Sequence, residues 1–300
     1  MAERPLSGRM AGRAYVDYVV RPLRDPGELR RMLEPHRAYA AYAIGQLQPA
    51  LFARSTWLVA RSAHGEALLL HSEGGLGNAL FALGTSDALE VLLRLHPGPR
   101  HTFLTCQPHH AEIAARHFYL PEDHSMVRMR VDRESFIPVE GYVRRLHGSD
   151  ARHVNRLYRA DGTPAFYTAE NIEDAVYYGA HQDGRMVAVA GTHVVSQRDG
   201  IAVIGNVFTH PAYRGRGLGT LVTSAVTKEL LSSCREAVLS VDPENEAAVR
   251  AYARLGYREV GRLVEGPAVR RGGMLGAFLR RRIAALRGRR YGAELVGLPA

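Results

Sequence analysis

The stretch Val207-Phe208-Thr209-His210-Pro211-Ala212-Tyr213, followed by Arg214-Gly215-Arg216-Gly217-Leu218-Gly219, decides how this chain folds. Before it, Ile201–Thr209 is apolar and β-branched and reads as a strand. After it, Leu218, Leu221, Val222, Ala225, Val226 and Leu230 recur at helical spacing. Glycines 215, 217 and 219 remove side chains where backbone must come close to a ligand. The unpaired amides of the loop and first helical turn point at one spot, and the helix dipole favours an anion there. A pyrophosphate suits such a site, and Arg214 and Arg216 add positive charge beside it. A dinucleotide fingerprint fits poorly, because no acidic residue ends the next strand at the required distance. The Gly-Lys-Ser/Thr of a P-loop is absent.

Working outward, the chain reads as a long mixed α/β pattern. Arg198-Asp199-Gly200 turns Met186–Ser196 back into Ile201–Thr209 as a hairpin. Tyr142–Leu146 reads as a strand, Ala151–Tyr158 and Ala169–Tyr177 as helices, and Tyr178–His181 as a short strand. Beyond the loop come a strand at Ala237–Val241, a helix at Asn245–Leu255 and a strand at Tyr257–Val264. The first half repeats this order. Its strands are Tyr15–Val20, Trp57–Arg61, Glu66–His71, Asn78–Leu83, Thr102–Cys106 and Ser125–Val131. Its helices are Pro26–Ile44, broken at Pro35, then Asp87–Leu95 and His109–His117. At the place of the glycine loop it has only Gly84-Thr85-Ser86, a tight turn with a serine cap. Ile137-Pro138-Val139-Glu140-Gly141 reads as a linker. The expected division is therefore residues 1–135, 136–266 and a basic tail at 267–300.

At this point the second half resembles the GNAT superfamily of acyl-CoA-dependent N-acyltransferases, in wording closest to its glycine N-acyltransferase-like branch. The signature loop, Gln/Arg-x-x-Gly-x-Gly/Ala, is met by Arg214, Gly217 and Gly219. A second match lies in Asn245, Ala248, Tyr252, Gly256 and Tyr257. The resemblance implies tandem GNAT-like domains, the first a degenerate copy that supports the fold and walls the acceptor site. It implies that Val207, Phe208 and Thr209 pair with the pantetheine arm of acetyl-CoA or another short acyl-CoA. Gly215, Arg216, Gly217, Leu218, Gly219 and Thr220 would hold the pyrophosphate, and Asn245 would contact the coenzyme. Tyr252 would protonate the departing thiolate. The reaction implied is direct attack by a primary amine, of a small molecule or a peptide, in a ternary complex. By itself Tyr252 also reads as a core aromatic, and Asn245 as a helix cap. Many members place a glutamate five residues before the asparagine; here Ser240 stands there, so the base is left open among Asp242, Glu244, the first half and water.

Composition sets the outer limits. Apolar residues at 46% and charged residues at 23% describe an ordinary globular chain. No apolar run reaches membrane-span length, and the first twenty residues lack a secretory h-region. Cys106 and Cys234, the only two cysteines, make no disulfide framework, so a cytoplasmic setting is expected. The net charge is +9, and eight arginines against Glu294 place +7 of it after Pro267. The basic character therefore belongs to the tail, and nucleic acid is not the expected partner. Met274–Leu286 reads as an amphipathic segment that caps a neighbouring domain. The histidines, among them adjacent His109 and His110, show no metal-ligand spacing. Two other functions compete: an acyl-CoA sensor without catalysis, and a nucleic-acid-associated protein acting through its tail. Oligomeric state is not legible.

Overall fold

The computed structural model describes residues 18–74, 77–120, 125–163, 165–273 and 276–282. The first half runs β1 (Val19–Pro22), α1 (Pro26–Leu33), α2 (Ala41–Gly45), α3 (Pro49–Phe52), β2 (Ser55–Ser62), β3 (Gly65–Gly74) and β4 (Gly77–Gly84). It continues with α4 (Ser86–Leu95), β5 (His101–Cys106), α5 (Ala111–His117), β6 (Phe118–Tyr119) and β7 (Ser125–Asp132). The second half runs β8 (Arg144–Arg145), α6 (Ala151–Tyr158), α7 (Ala169–Glu173), β9 (Tyr178–Gln182), β10 (Arg185–Ser196) and β11 (Ile201–Thr209). It ends with α8 (Leu218–Ser233), β12 (Glu236–Val241), α9 (Glu246–Arg254) and β13 (Arg258–Arg270). The α/β class is the expected one. Pro35 does break the first helix, since a 3-10 turn at Glu34–His36 separates α1 from α2.

The strands of the described residues form one sheet, in the order β1-β2-β3-β4-β5-β13-β7-β12-β11-β10-β9-β8, with β6 beside β13. The last strands of the two halves have changed places. β13 pairs with β5 from Val264↔Cys106 to Val269↔His101, inside the first half's sheet. β7 pairs with β12 from Glu236↔Asp132 to Val241↔Val127, inside the second half's. The two exchanged strands then pair with each other, antiparallel, at the centre. This explains why β13 reaches Arg270 where periodicity predicted an end at Val264: the added residues are those that meet β5. Each half has one parallel pair, β4–β5 and β11–β12, and each of those pairs holds for only three residues.

Helices cover both faces. α4 and α5 pack on one face of the first half, through Leu89, Leu92 and Ile113 against Leu69, Leu104 and Cys106. α1 and α2 lie on the other face and reach across the boundary, so that Leu29, Ala41 and Ile44 share a core with Val203 and Val238 of the second half. Gly45 is where α2 meets β10; a Cβ there would stand 2.3 Å from Cγ2 of Val194. Arg30 donates to Asp199 at 2.8 Å, and Arg37 bonds Glu236, tying α1 and the turn after it to the second half. In the second half, α8 and α9 bury Val222, Val226, Leu230 and Tyr252 against Ala202, Ile204 and Leu239.

The site of the missing loop in the first half is closed by histidine. His109 and His110 both bring Nε2 to the carbonyl of Gly84, at 3.2 and 2.8 Å. The serine cap expected there does not form: Thr85 is the cap residue and makes no side-chain bond, while Ser86 donates to the carbonyl of His109. Where the tail is described, Arg280 and Arg281 donate to the carbonyls of Arg94 and Leu95 at the end of α4, a favourable place for cations. The rest of Met274–Leu286, like Tyr15–Asp17 of the first strand, lies outside the described residues. No described helix is long and apolar enough to cross a membrane.

Burial lowers the pKa of His71, His96 and His110 from 6.5 to about 4. The folded chain keeps them neutral where the unfolded chain protonates them. Their contribution to stability is therefore complete above pH 6.5 and is lost as pH falls from there to about 4. Urea midpoints measured across that window should fall with pH; midpoints that stay level would contradict these burials.

Candidate active site

β11 and β12 pair only at Ile201↔Glu236, Ala202↔Ala237 and Val203↔Val238. Past Val203 the two strands part, and the edge of β11 that faces β12 is left without a strand partner. Its other edge stays on β10, through Val189↔Phe208 and Ala188↔Thr209. The register slips between Gly205 and Phe208, where β11 carries one extra residue. Asn206 absorbs the kink with φ +56°. Two tyrosines hold it: Tyr158 donates to its carbonyl at 2.8 Å, and its carboxamide donates to the Tyr177 hydroxyl at 2.7 Å. The ring of Phe208 lies tilted against that of Tyr158, with centroids 4.9 Å apart. Val207, Phe208 and Thr209 thus line the opened edge, on a strand bent by a residue that no motif flagged.

The loop follows directly. Gly217 caps α8 with φ +76° and no side-chain bond, and Gly215 has the same φ. The amides of Leu218, Gly219 and Thr220 belong to the first turn of a sixteen-residue helix and have no intrahelical acceptor. A Cβ on Gly217 or Gly215 would meet nothing within 4 Å, so the need for glycine there is conformational. Gly219 sits where the helix passes β11; a Cβ there would stand 3.2 Å from Oγ1 of Thr209. Arg214 is held by the carbonyl of Thr209 and the carboxylate of Asp161, each at 3.2 Å. Arg216 leans on Tyr213 with its guanidinium 5.1 Å from the ring.

α9 closes the site from the α8 side. Tyr252 is 7% exposed and shares a core with Val207, Leu218, Leu239 and Val241, so the strand, the loop helix and the tyrosine converge. Burial pushes its phenol up to about 12. Its hydroxyl has no hydrogen-bond partner among the described residues. Asn245 is exposed, and its carboxamide oxygen accepts from the Ala248 amide at 3.1 Å, so its side chain caps the helix.

On the other face of the parted strands lies a polar group that sequence reading did not find. Ser240 donates to Glu265, and Arg128 stands 3.7 Å from the same carboxylate oxygen. The Nε and Nη1 of Arg128 are buried with no partner among the described residues. His193 lies over Gly205, where a Cβ would be 1.9 Å from its Nε2. Desolvation by the surrounding protein, opposed by the charge of Glu265 and aided by that of Arg128, lowers its pKa from 6.5. The only usable sequence signal was Gly205 itself, a glycine inside a strand. Glu265 carried none, because it arrives on the exchanged strand. Among the described residues no cluster of metal-ligating side chains occurs.

Residues 147–257 match the family described as acetyltransferase (GNAT) family. The N-alpha-acetyltransferase MAK3 of Arabidopsis thaliana is 37% identical over 81 residues, which is 27% of this chain and 41% of that protein. The chain thus spans about two fifths of that curated relative. Two solved structures share the fold. A Drosophila protein aligns over 85% of this chain and 98% of its own, with TM-score 0.58 and 12% identity. A GCN5-related N-acetyltransferase of Kribbella flavida aligns over 78% and 97%, with TM-score 0.56 and 19% identity.

The left-handed cap makes a direct prediction. Gly217→Val forces a β-branched residue to φ +76° and should cost about 1–2 kcal/mol in chemical denaturation. Unchanged stability would mean that the loop does not take this conformation.

Proposed function

We propose that this chain, whose second half carries a GNAT-family acetyltransferase domain, is an N-acyltransferase that moves an acetyl or short acyl group from acyl-CoA to a primary amine. The observation that carries the reading is the parting of β11 from β12 directly before a glycine-rich helix N-terminus. An acyl-CoA laid in this opening would place its amide-bearing arm along the free edge of Val207–Thr209. Its pyrophosphate would lie at the amides of Gly215–Thr220, and its thioester would lie between the strands near Tyr252. The glycine loop presents a helix dipole and free amides to an anion; at the equivalent turn in the first half, His109 and His110 crowd the carbonyl of Gly84. The first half then contributes a wall, since α2 lies over the face that carries Ser240. The α-amino specificity in the printed name of the Arabidopsis relative makes a peptide or small-molecule amine the natural acceptor.

The chemistry fits a single displacement. Neither cysteine is poised as a nucleophile: both are buried, and burial pushes the Cys106 thiol up to about 12. Tyr252 acts on the leaving sulfur. Full proton transfer from a phenol near 12 to a thiolate whose conjugate acid lies near 8.5 costs roughly 5 kcal/mol. Its main contribution is therefore a hydrogen bond to the developing thiolate, and the proton shed by the attacking nitrogen completes the thiol. Asn245, already capping α9, helps most by fixing the start of the helix that aims Tyr252.

Titration with acetyl-CoA should show saturable binding, and its absence would refute the proposal. Tyr252→Phe should lower kcat by about 10²-fold or more while acetyl-CoA affinity changes little. Equal turnover would remove Tyr252 from the reaction; binding with no turnover of any amine would point instead to an acyl-CoA sensor.

A further inference from the structure

Ser240 stands on β12 just past the last residue that pairs with β11, so its strand edge faces the opening. Its neighbours Leu239 and Val241 belong to the core under α8 and α9, the face that holds Tyr252. The side chain of Ser240 therefore points to the opposite face, where Val238 meets α2. A thioester held between the strands would have Tyr252 on one side and Ser240 on the other. That second side is where an amine must approach if the sulfur is to leave toward the tyrosine.

Serine alone is no base, but Ser240 is not alone. Its hydroxyl donates to Oε2 of Glu265, four residues beyond Gly261, the position that lies across from Arg128 in the β7–β13 ladder. Arg128 is in turn the direct cross-strand partner of Ser240. The carboxylate is partly open, at 17% of its side-chain surface, while Arg128 beneath it is 3% exposed. The Oε2 of Glu265 is aimed at the serine that borders the opening. The other ionisable groups that share this region are His193 on β10, Tyr39 ahead of α2 and Cys106 on β5.

We propose that Glu265, delivered by the exchanged strand β13, is the base that deprotonates the acceptor amine through Ser240. This rests on the acyltransferase reading above. The bound ammonium donates to Oγ of Ser240; that proton passes to the serine oxygen as the serine's own proton passes to Oε2 of Glu265. The products are a neutral amine and a neutral carboxylic acid. The nitrogen lone pair then forms the C–N bond, the C–S bond breaks with its electron pair on sulfur, and the remaining excess proton on nitrogen ends on the thiol. The carboxyl returns its proton to solvent after the amide leaves.

The test uses the full chain, acetyl-CoA and a panel of primary amines read by thiol release, with acetyl-CoA affinity measured by calorimetry. Glu265→Gln should lower kcat/KM for the amine about 100-fold or more and leave acetyl-CoA affinity within about threefold. The deficit should shrink for weakly basic amines, which arrive already neutral, and persist for strongly basic ones. Ser240→Ala should lower kcat/KM about tenfold, with the same dependence on amine basicity. If Glu265→Gln folds poorly beside Arg128, Glu265→Asp keeps the charge and withdraws the reach, and it should bind acetyl-CoA normally yet turn over at least about tenfold more slowly. Full activity in either folded Glu265 variant, or a Glu265→Gln deficit equal for weakly and strongly basic amines, overturns the assignment. A native chain that binds no acetyl-CoA overturns the acyltransferase reading as well; one that turns over amines while Glu265→Gln matches it overturns the assignment alone.

Discussion

The pairing of β7 with β13 at the middle of the sheet is the constraint on which the rest depends. Because each of these strands belongs in sequence to one half and in space to the other, neither half closes its own sheet. The exchange makes one continuous surface from β1 to β8 and places α2 against strands that follow it by roughly 160 to 195 residues. It also delivers to the candidate site a carboxylate that the second half lacks at Ser240. The ion pairs of Arg30 and Arg37 with Asp199 and Glu236 lie on this same seam.

Local structure was largely legible in the residues. Strand and helix follow from period, and nearly all elements appear within a few residues of their expected limits. The glycine loop was legible for the same reason: positive φ at Gly215 and Gly217 is a local demand that only a few residue types satisfy. Tyr142–Leu146 came out longer than the two-residue β8, and Ala169–Tyr177 longer than α7, because pattern does not reveal where a partner strand or a tertiary contact ends an element.

What the residues did not reveal is everything decided by strand order. Ser125–Val131 and Tyr257–Val264 were both recognised as strands, yet the same pattern serves either sheet, so their exchange leaves no trace in hydrophobic period. Glu265 fell between an expected strand and an expected tail and therefore drew no attention. Asn206 is another case. Its left-handed bend depends on Tyr158 and Tyr177, some 50 and 30 residues earlier, and asparagine by itself signals only tolerance of that conformation. Tyr252 and Asn245 were each readable in two ways. The structure uses the asparagine as a cap, and it places the tyrosine in a core that also borders the site.

The exchange also sets an order of events in synthesis. The outer edge of β5 has no strand beside it until residues 264–269 have left the ribosome, more than 150 residues after β5 itself. During that interval an apolar strand edge stands open, and such edges invite pairing with other chains. Contacts this distant in sequence form slowly, since loop closure must precede any gain from pairing. A nascent chain of this design thus holds an unfinished first half while the second is being made, and it depends on the arrival of one late strand, or on a chaperone shielding that edge, to escape aggregation.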